Sequence, residues 1–236
     1  IRSQYLEARE RILPHVEDTT ALIHRSLAAK KQILLEGAQG TLLDNDYGSY
    51  PYVTSSNTTS MAACMLTCIP PAAVKSIIGV AKSYITRVGN GPFPTEITTS
   101  EHDKLQLAGR EFGATTGRPR RCGWPDLPLL RYACVVNGCT EIALTKLDIL
   151  GLLERIRACI RYKNDACPFG LVNMMNLGAK KPEYMDFDGW GNLEGIRFRD
   201  ELPYGARLFV KEIENYIQVP VKYISIGGKR KEIITL

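Results

Sequence analysis

The chain has few of the features that would place it quickly. Among its 236 residues there is no Cys-x-x-Cys pair, no run of 18 apolar residues, and no Gly-x-x-x-x-Gly-Lys-Ser/Thr phosphate loop. It has only three histidines, His15, His24 and His102, and they have no evident partners. Without a long apolar run or a charged-then-apolar leader, neither a membrane span nor a secretory signal is expected, and a cytoplasmic location is the default. The seven cysteines are odd in number and scattered; Cys64-x3-Cys68 has no His or Cys companions to complete a zinc site, so reduced, mostly buried thiols are expected and no metal ligands are assigned. The balance of 30 basic and 25 acidic residues, net +5, is too mild for a nucleic-acid binder but suits small anionic ligands. Ile1 rather than Met at the first position, in a helix-like stretch, is what a piece of a longer protein would show.

What is present is enough for a folded α/β domain, with 44% hydrophobic residues to build a core. Residues 3–30 are charged and helix-forming, interrupted at Pro14, with Leu13, Val16, Leu22 and Ile23 spaced for one buried face. Gln32–Glu36 is a short apolar run closed by Gly37, expected as a buried strand. Pro70 and Pro71 precede Val74, Ile77, Ile78, Ala81 and Ile85 at helical spacing, which predicts a helix. Glu141–Leu144 and Val221–Ile226 are two further strand candidates, and Ala206–Ile217 places Phe209, Ile213 and Tyr216 on one helical face. Residues 164–200 read as loops or short antiparallel strands. The expectation is a mainly parallel sheet flanked by helices, with a loop-rich or antiparallel subregion and ligand loops along one sheet edge.

Six stretches carry candidate chemistry. Gly113–Trp124 holds Arg118, Arg120 and Arg121, whose planar donor forks suit carboxylate or phosphate oxygens, with Thr115 and Thr116 adding hydroxyls. A solvated basic loop is the bland alternative. Glu36–Thr41 contains a Gly-x-x-Gly turn presenting Gln39, although such turns are common for packing alone. Thr54–Thr59 offers six consecutive hydrogen-bonding side chains, an anion site or simply a Ser/Thr-rich turn and helix cap. Asp44 and Asp46 read as a turn more readily than as a cation site. Arg87–Pro92 is turn-rich. Thr145-Lys146-Leu147-Asp148 is sharper: a carboxylate at a strand end accepts two hydrogen bonds from the N1–H and exocyclic amine of guanine, and adenine presents the opposite pattern. Ser225–Gly227 ends the last strand candidate.

Taken together, Glu36 to Gly40, Tyr50 to Thr59, Arg87 to Glu96, Gly113 to Trp124, Leu144 to Asp148 and Ser225 to Gly227 resemble adenylosuccinate synthetase, over what corresponds to the C-terminal portion of one α/β domain. That family is a homodimeric, Mg²⁺-dependent ligase of AMP biosynthesis that joins IMP and L-aspartate at the expense of GTP. The resemblance implies that Gln39 sits near the 6-oxygen of IMP and that Thr54, Val88 and Arg118 line the IMP site. It implies that Ala114, Thr115, Thr116, Gly117, Arg118, Pro119 and Arg120 close over aspartate, with Arg120 bridging toward GTP and the transferring phosphoryl group. Lys146, Leu147 and Asp148 are then the guanine pocket, completed by Ser225, Ile226 and Gly227. The family's Gly-Asp-Glu-Gly-Lys-Gly phosphate loop, with its general base, Mg²⁺ ligands and nearby general-acid histidine, does not occur in this sequence, and Ser60–Cys64 replaces a small Ala-Gly-Gly run. The expected roles are therefore ligase chemistry in the whole enzyme, or an inactive guanine-nucleotide-binding module if this chain stands alone.

Overall fold

The computed structural model describes residues 1–113, 117–163 and 171–235. The backbone divides into two compact units, Ile1–Ala38 with Ser60–Lys75, and Gln39–Thr59 with Ser76–Leu236.

The first unit contains α1 (Arg2–Ile12), α2 (Thr19–Ala28) and α3 (Ser60–Thr67). Asp18 caps α2 by accepting the Ala21 N–H at 3.1 Å, and the ring Nε2 of His24 lies 3.0 Å from the Cys68 carbonyl oxygen. The break at Pro14 appears where expected, but neither α1 nor α2 buries a residue, and Leu13, Val16 and Leu22 are exposed. The apolar face read from spacing is thus not a core face here. The strand expected at Gln32–Glu36 is absent as well: these residues have no regular structure and Leu34 is 87% exposed. A five-residue apolar run becomes a strand only when a neighbour supplies the ladder, and among the described residues none pairs with it.

In the second unit, β1 (Ile78–Lys82), β2 (Ile85–Arg87), α4 (Ser100–Ala108), β3 (Arg121–Gly123), α5 (Leu127–Asn137), β4 (Glu141–Thr145), α6 (Leu147–Leu150), β5 (Arg155–Tyr162), β6 (Pro182–Asp188), α7 (Tyr204–Ile217), β7 (Val221–Ser225) and β8 (Ile233–Thr235) follow in order. The main sheet runs β1-β4-β7-β8, parallel except for the antiparallel β8. The helix expected after Pro70 and Pro71 is instead a 3₁₀ turn, Pro71–Ala73, followed by β1 and β2. Val74, Ile77, Ile78, Val80 and Ile85 are β-branched, which favours the pleated alternative, and pairing with β4 supplies it with a ladder. Helical spacing over this stretch was coincidental.

The strands at Glu141–Thr145 and Val221–Ser225 and the amphipathic helix α7 match expectation. Helix α7 buries Ala206, Phe209, Val210, Ile213 and Ile217 on one face. Phe209 meets the Phe187 ring edge-on at 5.4 Å and Trp190 at 5.3 Å. Helix α5 is punctuated at both ends: the Asp126 carboxylate accepts the Leu129 N–H at 3.1 Å, and Gly138 ends the helix at φ 61°, a conformation open to glycine. The antiparallel subregion is β5 paired with β6, of which only β6 falls within the expected residues 164–200; β5, before them, was not expected. Residues 164–170, within that subregion, lie outside the described residues. Leu144, Leu147, Ile224 and Leu150 are fully buried, each contributing roughly 1.5–3 kcal/mol.

Parallel register aligns the carboxyl ends of three strands. Lys82 pairs with Thr145, and Leu144 with Ile224. The loops opening at Ser83, Lys146 and Ile226 therefore leave one sheet edge side by side, the place where open α/β sheets bind ligands.

Candidate functional site

The loop at Lys146–Asp148 is held from three directions. Lys146 takes a left-handed backbone, φ 64°, which a residue with a Cβ adopts at a cost of about 1–2 kcal/mol. The Ser83 hydroxyl donates to the Lys146 carbonyl at 2.7 Å, and the Trp190 indole N–H donates to the Leu147 carbonyl at 3.0 Å. Leu147 is fully buried beneath the turn, while Asp148 is half-buried at the start of α6. Burial pushes the Asp148 carboxyl above the ordinary aspartate range; backbone N–H groups and the Lys146 charge offset only part of it. Beside it, the Ser225 hydroxyl donates to the Gly227 carbonyl at 2.8 Å, and the Ile226 N–H donates to the Glu232 carbonyl at 3.0 Å. The two strand ends thus bring Lys146, Leu147 and Asp148 next to Ser225, Ile226 and Gly227.

The arginine stretch is anchored at its base. Phe112 bridges Pro119, the Gly113 N–H donates to the Arg118 carbonyl at 2.8 Å, and the Gly117 N–H donates to the Gly113 carbonyl at 2.9 Å. Ala114, Thr115 and Thr116 lie outside the described residues. The three arginines have different situations. Arg118 is exposed. Arg121 spends its fork on the Glu96 carboxylate and donates from Nη1 to the carbonyls of Gly89 and Gly91, both at 3.1 Å, so it ties β3 to the Arg87–Glu96 stretch. Arg120 donates from Nη1 to Glu111 at 2.9 Å. The expectation that all three offer their forks to a ligand therefore fails for Arg121.

Glu111, which sequence reading passed over, is the hub of this region. Its carboxylate is buried and accepts from Lys82 Nζ at 2.9 and 2.8 Å and from the Tyr84 hydroxyl at 2.7 Å, in addition to Arg120. Lys146 Nζ lies 3.9 Å away and donates to the Gly109 carbonyl at 2.5 Å. Burial by itself would push Glu111 up; the hydrogen bonds from Lys82, Tyr84 and Arg120 and the Lys82 charge outweigh it and hold the carboxyl below the ordinary glutamate range. The missed signal was Lys82 itself, a cation at the carboxyl end of a strand, concealed by the helical reading of that stretch.

The segment from Tyr50 to Thr59 is built around Asp44. Both carboxylate oxygens of this fully buried residue are used: Oδ1 accepts the N–H groups of Asp46 and Tyr47 at 2.9 and 3.0 Å, and Oδ2 those of Thr58 and Thr59 at 2.5 and 3.2 Å. The turn reading of Asp44 holds. Thr58 Oγ1 donates to the Gly40 carbonyl at 2.8 Å, and the Thr54 N–H to Leu43 at 2.8 Å, so these two groups serve the loop's own geometry. The buried Arg87 guanidinium donates to the Ser49 hydroxyl at 2.9 Å and the Tyr52 carbonyl at 3.0 Å, joining this segment to β2. Gln39 and Val88 are exposed and Thr54 is half-buried; Gln39, like Lys146, has a left-handed backbone, φ 63°.

Described residues offer no group of three or more His, Cys, Asp or Glu side chains that converge on a metal position. With Asp44 saturated by backbone donors, they do not fit the Mg²⁺ that the resemblance implies. Six cysteines, Cys64, Cys68, Cys122, Cys134, Cys139 and Cys159, are free thiols. Among the described residues, no helix is long and apolar enough to cross a membrane.

Comparison with known proteins agrees with this arrangement. A family model described as adenylosuccinate synthetase matches residues 1–234. An adenylosuccinate synthetase of Halothermothrix orenii is 47% identical over 99% of this chain and 55% of its own length, and that of Caenorhabditis elegans 47% over 98% and 52%. The structure of the fully ligated Plasmodium falciparum adenylosuccinate synthetase superimposes with a TM-score of 0.95 at 36% identity, covering 99% of this chain and 57% of the other. A cyanophage S-2L succinoaminodeoxyadenylate synthetase shares the fold alone, at a TM-score of 0.56 and 19% identity. The chain spans about half the length of the relatives it matches. With a family model matched over nearly every residue and relatives 47% identical along nearly the whole chain, the chain belongs to the adenylosuccinate synthetase family.

Proposed function

We propose that this chain is the C-terminal portion of one adenylosuccinate synthetase domain, and that it supplies the guanine pocket, the aspartate loop and part of the IMP site to a homodimeric, Mg²⁺-dependent, cytoplasmic enzyme joining IMP and L-aspartate with GTP. The observation that carries this reading is the parallel pairing of β4 with β7, which sets Lys146–Asp148 beside Ser225–Gly227 at one sheet edge. Asp148 then reads the N1–H and exocyclic amine of guanine while the Lys146 stem covers the base face. Ala114 to Arg120 hold the aspartate carboxylates, with Arg118 reaching IMP and Arg120 reaching the transferring phosphoryl group. Gln39, Thr54 and Val88 line the IMP side, with Gln39 at the 6-oxygen. These roles are positioning and charge neutralisation, the terms that dominate phosphoryl transfer.

A second reading is a guanine-nucleotide-binding module without turnover, supported by the same adjacent strand ends at Lys146–Asp148 and Ser225–Gly227. Both readings require the same base recognition. Asp148→Asn removes the charge from two hydrogen bonds, each worth about 1.5–3 kcal/mol when the acceptor is ionised, so GTP binding is expected to weaken at least tenfold with relaxed discrimination against other purine nucleotides. Equilibrium titration with GTP, ITP and ATP reads this directly. An unchanged order of preference sinks the guanine pocket. Adenylosuccinate formation from GTP, IMP and aspartate by the full-length protein that contains this chain then separates the ligase from the binding module.

A further inference from the structure

We propose that Glu111 is a positioning residue that sets the Arg120 guanidinium and the Lys146 ammonium as one anion-binding unit, linking the arginine loop to the Lys-x-Asp turn. The inference rests on the proposed function, in which Arg120 reaches the transferring phosphoryl group and the Lys146 stem covers the guanine, and deepens it by giving the Lys146 ammonium a share in holding the anion.

Three cationic heads converge on one carboxylate. Glu111 is 1% exposed, while the side chains of Lys82, Arg120 and Lys146 are 27, 31 and 35% exposed, so each head is anchored on its inner side and presents the remainder outward. The cluster of these four residues carries a net charge of +2. Without the carboxylate, three like charges would repel one another across a few ångströms, with Lys82 hydrogen-bonded, among the described residues, only to the Thr86 hydroxyl and Lys146 only to the Gly109 carbonyl. Arg120 keeps one Nη1–H on Glu111, and among the described residues its remaining donors have no partner, which leaves them for a planar two-point contact. Lys82 and Tyr84, at the end of β1 and just after it, hold the carboxylate on its inner side.

The backbone is fixed independently of this side chain. The Arg120 N–H donates to the Glu111 carbonyl at 2.9 Å, and Gln106 Nε2 donates to the Arg120 carbonyl at 2.8 Å. Removing the Glu111 charge should therefore release the cationic heads and leave the loop base in place. This separates positioning from two simpler roles. A general electrostatic role predicts that Glu111→Gln tightens anion binding, because the local charge rises to +3. A structural role predicts loosening of the 112–120 backbone.

The experiment is a titration of the purified chain with GTP and with inorganic triphosphate, comparing wild type, Glu111→Gln and Tyr84→Phe, with amide hydrogen exchange across residues 112–120. Positioning predicts that Glu111→Gln weakens both ligands about tenfold, the scale of one charge-assisted contact, with unchanged exchange at Gly113, Gly117 and Arg120. Tyr84→Phe should shift affinity in the same direction by a smaller factor, and stands in if the glutamine variant does not fold. In an Arg120→Leu, Lys146→Met background the effect of Glu111→Gln should fall below about twofold, since its targets are gone. Equal or tighter binding by Glu111→Gln overturns the proposal, as does a full effect in that background or faster exchange at the loop base. Triphosphate binding without GTP preference would sink the guanine pocket while leaving Glu111 testable; failure of wild type to bind either ligand would overturn both.

Discussion

Replacing Asp126 by asparagine should change how stability depends on pH, in one direction and within one window. Asp126 is buried where α5 begins; Oδ1 accepts the Leu129 N–H at 3.1 Å and Oδ2 accepts the Tyr162 hydroxyl at 2.5 Å. Burial dominates, and pushes the carboxyl from 3.8 to about 6 despite those two donors. As pH rises from 4, the unfolded chain ionises this residue first, so the folded state is progressively disfavoured until its own carboxyl ionises near 6. About two units of displacement correspond to on the order of 3 kcal/mol. Asparagine keeps the cap through its amide oxygen, reverses the Tyr162 contact with its amide nitrogen, and does not titrate. The variant should therefore gain stability relative to wild type by on the order of 3 kcal/mol between pH 4 and 6, with no further change above about pH 7. Urea unfolding at half-unit pH intervals measures the difference, in which the other titrating groups cancel. A flat difference, or one that shrinks as pH rises, would refute the assignment of Asp126 as a carboxyl ionised at a cost.

Two substitutions probe the turn that carries Asp44. Asp44→Asn removes two of the four acceptor contacts to backbone N–H groups and turns an amide donor toward them, for an expected loss of about 2–4 kcal/mol by denaturant unfolding. Because backbone donors hold the Asp44 carboxyl below its ordinary range against burial, its contribution is present at neutral pH and lost in acid; the variant's deficit should narrow as pH falls below about 4, and a deficit independent of pH would count against it. Gly48→Ala would place a Cβ 2.6 Å from the Leu42 carbonyl oxygen and 2.9 Å from the Asp44 nitrogen, both backbone atoms that cannot rotate away. A loss of about 1–3 kcal/mol is expected in the same assay, and a variant as stable as wild type would show that the turn relaxes freely.

Local chemistry made much of this protein legible from its sequence. The strands Glu141–Thr145 and Val221–Ser225, the amphipathic α7 and the turn at Asp44 follow from side-chain periodicity and capping, which depend on near neighbours in the chain. The Lys-x-Asp turn was recognisable because it sets a carboxylate at the end of a strand candidate. Pairing was a different matter. Whether Gln32–Glu36 or Ile78–Lys82 became a strand depended on which segment found a ladder partner, and β4 lies more than fifty residues beyond β1. Spacing in either segment carries no record of that choice. The division of labour among Arg118, Arg120 and Arg121 was likewise decided in three dimensions: identical side chains became an exposed cation, a tethered one and a structural brace according to where Glu111 and Glu96 came to lie. Sequence alone thus determined the family, the chemical repertoire and the elements governed by local periodicity. Tertiary structure decided the pairing and the partners of each charge, because long-range contacts select among conformations that local energies leave nearly equal.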